Sequence, residues 1–358
     1  MSHVATITID HTKVPGDLTD YVGLIVPDGS AGYSALYALC LEGGGDIRLF
    51  KSDDTTELAR EIVTFSVTDE TGEIHYRYTG TLSSSVDTAI HVYADGSSSD
   101  YAVGATYGRN AVWADYELVL HLGETANNTS AGYVDSTGNG HNGTGNSMAL
   151  AAGGSPPFGG NAARFDGSAD WIDVAINSLS FTAFTYSVWA KQTSATLTNA
   201  SPITYWGGGY TPFLGYYFDN SSNKYEAFTW PNGSTNTRIT DSVDPDNELN
   251  NWQAMHITDT GSAQAAYRDA VSKGTTSHTT GTYSAFGSIN IARNSTDQPT
   301  RFLTGFVKEI RLKSSSDSNN AITTEYNNQN SYSTFYSVAA VAGGSAAQAA
   351  RRGVIMMM

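Results

Sequence analysis

The glycine- and asparagine-rich stretch 133–146, YVDSTGNGHNGTGN, combines residue types that bind hard cations. Carboxylate and amide oxygens in a flexible polar loop are the ligands that Ca²⁺ prefers in proteins. Asp135 and Asn139 are therefore candidate metal ligands, with Ca²⁺ as the cofactor that they would hold. A second interpretation is that Asp135 caps a turn with its own side chain while the glycines supply positive φ. Because the stretch has a single acidic residue, both interpretations stay open.

An aromatic-rich stretch, 204–234, has the composition of a carbohydrate site. Sugar rings stack on aromatic faces, and their hydroxyl groups pair with amide and hydroxyl side chains. Residues of this kind near the predicted loop edges form the candidate carbohydrate-binding set: Trp206, Tyr210, Tyr216, Trp230 and Asn232. The same composition also suits a protein–protein contact or a crowded structural surface, so three roles are open for this stretch.

Motifs for hydrolytic catalysis are missing from the sequence. Glycoside hydrolysis needs two carboxylates that face each other across the scissile bond, and a Glu-x-Asp-x-x-Glu strand that would supply them does not occur. A G-x-S-x-G nucleophile elbow and paired zinc ligands are missing as well. His141 and His278 fall in loops, where we expect them to be solvated. The sequence therefore names no catalytic residue and predicts that the protein is not an enzyme.

The last residues, RRGVIMMM, follow a stretch rich in Ala and Gly and form a short basic and then apolar segment. Exposed apolar residues of this kind are usually covered by a partner. The predicted assembly contact consists of Arg351, Arg352, Val354, Ile355 and Met356, and it favours a homo-oligomer. The other interpretation is a frayed terminus without a role.

Composition excludes several classes of partner. The 358-residue chain has a net charge of −16, which argues against nucleic-acid binding because phosphate contacts need clustered Lys and Arg. It has no apolar run of about 18 residues, so no membrane span is predicted. Cys40 is the single cysteine and is expected to be a buried hydrophobe. The start of the chain shows no export signal, which predicts a mature protein or one that leaves the cell by another route, such as in a virus particle.

Most of the chain alternates between apolar and polar residues with the period of two that is typical of half-buried strands. Gly, Asn, Asp and Ser clusters separate these segments. Residues 55–63 and 321–329 could each form a short helix. We predict an N-terminal β-rich domain at 1–122, a β-sandwich at 133–338, and an Ala/Gly linker with an apolar tail at 339–358.

The order of motifs from Asp135 onward resembles the concanavalin-A-like, laminin-G-type jelly-roll lectin/glucanase superfamily. The matching pieces are DSTGNGHNGT (135–144), AARFDGSADWIDV (162–174), FTYSVWAK (184–191), NWQAMHITDTG (251–261), INIAR (289–293) and FLTGFVKEIRLK (302–313). The first 120 residues or so resemble a bacterial domain of unknown function that often precedes such a jelly roll. The resemblance implies an all-β protein, an antiparallel jelly-roll sandwich preceded by a smaller β-sandwich domain.

The same resemblance implies which residues fill the core and where calcium could lie. Alternate strand residues should face inward, and these are Phe165, Ile172, Val174, Phe184, Val188, Met255, Ile257, Ile289, Ile291, Phe306 and Ile310. Several jelly rolls of the superfamily hold calcium near the opening loop, but the partner acid from the late strand is Lys308 here, beside Glu309. The family's calcium ligands are thus only partly represented.

Together these patterns predict a non-enzymatic structural or binding protein. The first hypothesis is a phage virion surface protein, either capsid decoration or a head or tail fibre, that exposes a lectin-like jelly roll to host glycans. Its partners would be other virion or surface proteins and glycans, with no nucleic acid and no membrane. One alternative is a bacterial adhesin or carbohydrate-binding protein at the cell surface or secreted. The other is a glycoside hydrolase.

Overall fold

The structure is a computed structural model. It describes residues 1–176, 179–194, 202–206, 213–219, 224–231, 236–241, 248–284, 287–295 and 298–341. In the strand segments 203–206, 213–219, 294–295 and 298–301 the structure describes the backbone only.

Strands dominate the protein, with 47% of residues in strands and 11% in helices. In chain order the strands are β1 Ser2–Ile9, β2 Leu18–Ile25, β3 Arg48–Lys51, β4 Glu57–Ser66, β5 Thr71–Leu82, β6 Thr88–Ala94, β7 Leu118–Leu120, β8 Gly143–Asn146, β9 Ala163–Asp166, β10 Trp171–Ala175, β11 Ser180–Phe181, β12 Phe184–Gln192, β13 Ile203–Trp206, β14 Phe213–Asp219, β15 Lys224–Trp230, β16 Thr237–Asp241, β17 Gln253–Asp259, β18 Ala263–Arg268, β19 Val271–Ser277, β20 Tyr283–Ser284, β21 Ser288–Ile291, β22 Arg293–Ser295, β23 Gln298–Phe302, β24 Thr304–Lys313 and β25 Tyr336–Ala340.

Helices are short. They are α1 Ser34–Leu39, α2 Arg109–Val112, α3 Asn319–Asn330 and α4 Tyr332–Phe335, with 3-10 turns at His11–Lys13 and Ala31–Tyr33. The helix predicted at 321–329 is confirmed as α3. The helix predicted at 55–63 is wrong: residues 57–63 lie in β4, where the β-branched Ile62, Val63 and Thr64 favour an extended backbone. None of the helices in the described part of the chain has the length and apolarity that a bilayer span requires.

The chain divides into two compact units. The first unit contains Met1–Ala114, Pro157–Gly160 and the described residues from Asn319 onward. Its seven-stranded sheet has the order β2-β5-β4-β3-β6-β1-β25. Residues 319–338, which the sequence analysis included in the jelly roll, belong to this unit. Their last strand, β25, pairs with β1. The side chain of Asn328 also accepts from Leu24 N at 2.7 Å and donates to Leu24 O at 2.9 Å.

The second unit contains Asp115–Pro156 and Asn161–Ser318. One sheet has the order β16-β15-β14-β13-β21-β10-β8, and the other has β19-β18-β17-β12-β24-β7, with β9 also on β24. All pairs in both sheets are antiparallel. Side chains from both sheets enter a shared apolar core. The predicted all-β, concanavalin A-like sandwich is confirmed.

The predicted core residues are buried with one exception. Phe165, Ile172, Val174, Phe184, Val188, Met255, Ile257, Ile289, Ile291 and Ile310 are all buried. Phe306 is only half-buried, and its neighbour Val307 enters the core instead. The cause is a β-bulge: the register of β12 with β24 shifts after Ser187, and Glu309 has a φ of +52°. The extra residue reverses the alternation along β24, so Phe306 and Ile310 no longer face the same way.

Candidate functional site

The sheet that runs from β16 to β8 has one face on the core and one face directed away from it. Side chains alternate along each strand, and the inward residues of β10 and β21 are Ile172, Val174, Ile289 and Ile291. The residues between them in each strand point away from the core and are polar or aromatic. We call this surface the outer face and define it by Trp171, Asp173, Asn290, Glu226, Phe228, Trp230 and Arg238.

Strand register aligns the outer-face residues in rows across the sheet. Residues directly opposite each other in antiparallel strands share a face. One row crosses six strands and consists of Arg238, Phe228, Gly215, Thr204, Asn290 and Asp173. The neighbouring row consists of Trp230, Phe213, Trp206 and Ser288. The sheet therefore brings aromatic and polar residue types from distant parts of the sequence into adjacent rows.

At the β15–β16 side of the outer face, two aromatic rings adjoin an ion pair. The rings of Phe228 and Trp230 meet edge to face, with centroids 6.4 Å apart. Arg238 places its guanidinium carbon 4.9 Å from the Phe228 centroid and donates from Nη1 to Glu226 Oε2 at 3.2 Å. Trp230 is half-buried, whereas the Arg238 side chain is 53% exposed. The arrangement offers a ring for stacking and a planar donor for hydroxyl or carboxylate groups.

The β10–β21 side of the outer face has a similar pairing of guanidinium and aromatic ring. Arg293, at the start of β22, lies with its guanidinium carbon 3.6 Å from the Trp171 centroid. Its Nη2 donates to Asn290 Oδ1 at 3.1 Å. Burial lowers the pKa of Arg293, and the charge of Asp173 opposes that shift. Asn290 is only 2% exposed, so these groups are held in fixed positions.

The structure places the predicted carbohydrate residues in different settings. Trp206 and Trp230 share one register row. Tyr216 lies opposite Ile203 and Ala227, in the row whose described member Ala227 faces the core. The side chains of Trp206 and Tyr216, and the whole of Tyr210 and Asn232, lie outside the described residues.

Sequence reasoning missed the polar part of this face. Glu226, Arg238, Asn290, Asp173 and Arg293 were not assigned to any site. The signal was present, because in KYEAFTW, WIDVA and SINI the polar or aromatic residues fall on the phase opposite to the core residues. Applying the alternation to both faces of each strand would have found most of them.

The side chain of Asp135 is engaged in capping its own turn. Its carboxylate accepts from Val119 N at 3.1 Å, Thr137 N at 3.0 Å, Thr137 Oγ1 at 2.7 Å and His141 N at 2.9 Å. Asn139 donates from Nδ2 to the carbonyls of Tyr116 and Glu117, both at 3.1 Å. These contacts match the turn interpretation, while calcium at Asp135 and Asn139 stays a prediction.

Other ionisable residues of the second unit form structural pairs. Glu309 lies 2.5 Å from His121 Nδ1 and accepts from Arg311 Nε at 2.7 Å. The expectation that His278 is solvated is wrong, because its side chain is 0% exposed and its Nε2 lies 2.8 Å from Asp259 Oδ2. Tyr283 donates to the same oxygen at 2.7 Å.

In the first unit, Asp10, His11 and Asp87 place ligand atoms within 4.8 Å of one another. His11 Nδ1 already lies 2.6 Å from Asp87 Oδ1, and Asp10 caps the amide of Thr12 at 2.8 Å. His11 and Asp87 thus pair with each other, and the carboxylate of Asp10 is engaged by Thr12. The predicted assembly contact, Arg351, Arg352, Val354, Ile355 and Met356, lies outside the described residues.

Comparison with protein families agrees with the fold of the second unit. Residues 165–323 match the model of the concanavalin A-like lectin/glucanases superfamily. This match and the antiparallel sheets agree with a lectin/glucanase-like jelly-roll fold for the region. No curated protein matches the chain.

Solved structures with similar folds are distant in sequence. Domain 4 of AbnA, a GH43 extracellular arabinanase from Geobacillus stearothermophilus solved with arabinotriose, is 17% identical, with coverage of 58% of this chain and 98% of that domain and a TM-score of 0.45. The binding domain of Paraclostridial Mosquitocidal Protein 1 is 12% identical, with a TM-score of 0.46. That match covers 60% of this chain and about half, 52%, of the mosquitocidal domain. At these identities and TM-scores, the likenesses say nothing of a ligand for this chain.

Proposed function

We propose that the second unit is a non-enzymatic carbohydrate-binding module whose ligand lies on the outer face of the β16–β8 sheet. The observation that carries this proposal is the pairing of aromatic rings with fixed polar groups on that face. Trp230 and Phe228 form one aromatic cluster, and the Arg238–Glu226 pair lies against it. A sugar presents an apolar ring face and a rim of hydroxyl groups, so it matches both parts.

Burial of the polar groups supports binding on this face. Glu226 is 6% exposed and Asn290 is 2% exposed, although both face away from the core. Each has a charged partner, Arg238 for Glu226 and Arg293 for Asn290. Polar groups fixed in this way lose little conformational freedom when a ligand binds, which favours affinity. The match of residues 165–323 to a lectin/glucanase family is consistent with this role.

A glycan array tests the location of the site. The wild-type chain should bind a defined subset of glycans, and Trp230→Ala and Trp206→Ala should each weaken that binding about tenfold or more. Trp252→Ala is the matched control: this half-buried Trp precedes β17 in the other sheet, where its Nε1 donates to Gly154 O and Ser155 O at 3.0 Å. If Trp230→Ala and Trp206→Ala both bind as wild type does, the ligand does not lie on this face.

The same glycans test the absence of catalysis. Wild-type protein incubated with each bound oligosaccharide should release no new reducing ends. If it does, and Glu226→Gln stops the release, the glycoside hydrolase alternative replaces the binding proposal.

For the biological setting, we propose a phage virion surface, with an adhesin of the bacterial surface as the alternative. The net charge of −16 and the apolar composition of 354–358 support an assembled, outward-facing protein. Native mass measurement separates the two settings. A symmetric oligomer that dissociates when 351–358 is deleted agrees with a virion component, whereas a monomer favours the adhesin.

A further inference from the structure

Arg293 is a buried arginine that has no carboxylate partner among the described residues. It is 8% exposed, and no carboxylate oxygen of the described chain lies within 4.0 Å of its guanidinium. Every other buried arginine in the described part of the chain has such a partner. These pairs are Arg48 with Glu57 at 3.9 Å, Arg60 with Asp100 at 2.7 Å, Arg268 with Asp241 at 2.5 Å and Arg311 with Glu309 at 2.7 Å. A buried charge without a counter-charge is costly, so the exception requires an explanation.

Most of the hydrogen-bonding capacity of Arg293 is unused. Each guanidinium nitrogen carries N–H donors, and none of them accepts. The bond from Nη2 to Asn290 Oδ1 at 3.1 Å is the one hydrogen bond that this side chain makes with described residues. The buried Nε has no partner among them. The group that matches such a side chain is planar, negatively charged and acceptor-only, which describes a carboxylate.

Trp171 fixes the guanidinium before any ligand arrives. The guanidinium carbon of Arg293 lies 3.6 Å from the centroid of the Trp171 ring, which is a close cation–π contact. Trp171 belongs to β10 and Arg293 to β22, so two strands of the fold hold the contact. A planar donor that is already positioned loses little conformational freedom when it binds a carboxylate.

Asn290 adds a second donor at the same place. This residue is only 2% exposed. Its Oδ1 accepts from Arg293, and this bond orients the amide and leaves Nδ2 as a donor. Arg293 and Asn290 therefore both have N–H groups left for a ligand that accepts hydrogen bonds.

Asp173 restricts which anion fits. It lies opposite Asn290 in the strand register. Burial lowers the pKa of Arg293, and the charge of Asp173 opposes that shift, although this carboxylate lies beyond 4.0 Å from the guanidinium. A simple anion would be repelled by Asp173, whereas a ligand with a hydroxyl group beside its carboxylate can donate to it. Sugar acids have both groups on one ring.

The position of Arg293 connects it with the proposed glycan site. In the register, Trp206 lies opposite Ser288, two residues along β21 from Asn290. Neighbouring strands of a sheet are about 4.8 Å apart, so the Arg293–Asn290 pair and the residue Trp206 belong to adjacent parts of the outer face. One sugar chain can therefore reach both.

On the premise that the outer face binds glycans, we propose that Arg293 and Asn290 bind the carboxylate of an acidic sugar. The carboxylate accepts from the guanidinium and from Asn290 Nδ2, and it supplies the counter-charge that Arg293 lacks. Asp173 accepts from a hydroxyl group of the same ring. The ligand class of the outer face is thereby an acidic glycan rather than a neutral one.

Calorimetric titration of the full chain with matched pairs of sugars tests the proposal. One pair is trigalacturonic acid and its methyl ester, and the other is sialyllactose and lactose. The acid of at least one pair should bind about tenfold or more tightly than its neutral counterpart. The pair that shows this preference identifies the carboxylate as that of a uronic acid or of a sialic acid.

Two other outcomes would overturn the proposal, and they differ in what they leave standing. If the glycan array shows binding but neither acid is preferred over its neutral counterpart, the carboxylate site is wrong and glycan binding remains. If no glycan binds on the array or in the titrations, the carboxylate site and the proposed function both fail.

A variant assigns the preference to Arg293. In Arg293→Gln the affinities for the acid and its neutral counterpart should come within about twofold of each other, because the charge is lost. Arg164→Gln is the matched control, since the exposed Arg164 lies in β9 on the other sheet, and it should keep the preference of wild type. A preference that persists in Arg293→Gln would contradict the role of Arg293. The paired ligands on wild-type protein cover the case in which Arg293→Gln fails to fold.

Discussion

The two faces of the β16–β8 sheet are built from alternate residues of the same strands and differ completely in chemistry. Towards the core, β10 and β21 present Ile172, Val174, Ile289 and Ile291, which join one apolar cluster. One residue away along the same strands lie Asp173 and Asn290. One set of alternate residues thus forms the core, and the other forms the face on which we propose that the ligand binds. A change of one residue in register would exchange the two sets.

The outer face also differs from an ordinary protein surface. Glu226 and Asn290 are almost fully buried there, whereas acidic and amide side chains are mostly exposed in proteins. Arg238 and Arg293 cover aromatic rings and hold these two groups at the same time. The difference between the faces is therefore apolar packing on one and a rigid polar and aromatic network on the other.

The largest effect is expected from the inward face. Ile291→Ala removes a fully buried side chain that packs between the two sheets and should lower the free energy of unfolding by roughly 2–5 kcal/mol. Glycan affinity of the remaining folded protein should stay within about twofold of wild type. Urea denaturation and array binding measure the two quantities. If Ile291→Ala lowers the glycan affinity but not the free energy of unfolding, the inward face takes part in binding and the two faces do not have separate roles.

A smaller stability effect, with a clear loss of binding, is expected from Arg238→Ala on the outer face. Because the Arg238 side chain is 53% exposed, its ion pair with Glu226 should contribute no more than about 1 kcal/mol to stability. Glycan affinity should fall roughly tenfold, since a planar donor beside Phe228 is lost. Lys273→Ala is a control from β19 of the other sheet; Lys273 lies 3.6 Å from the buried Asp241, which ends β16 on the core side. If Arg238→Ala and Lys273→Ala bind the glycan with equal affinity, Arg238 does not contact the ligand.

Strand alternation predicted the fold of the second unit well. In WIDVAI and SINI the period of two is unbroken, and every inward residue assigned from it is buried. The same rule was wrong for Phe306, because the bulge at Glu309 depends on one positive φ and on pairing with β12. Local sequence does not specify such an insertion. The register row of Tyr216 likewise depends on pairing with β13 and β15, which the local sequence does not specify.

Contacts between distant segments were beyond prediction. His278 was placed in a loop correctly, but its burial depends on Asp259 and the β17–β18 hairpin. The residue types of the opening loop predicted calcium binding or a capped turn, and the hydrogen bonds of Asp135 to Val119 and His141, which match the turn, depend on contacts that the local sequence does not specify.

The most direct test of carbohydrate binding on the outer face is amide hydrogen exchange with and without a glycan selected on the array. Binding on the outer face should slow exchange in β15 and β16, Lys224–Trp230 and Thr237–Asp241, and in β21, Ser288–Ile291. Exchange in β17 and β18, on the opposite sheet, should not change. Protection confined to β17 and β18, or no protected strand at saturating glycan, would contradict the proposal.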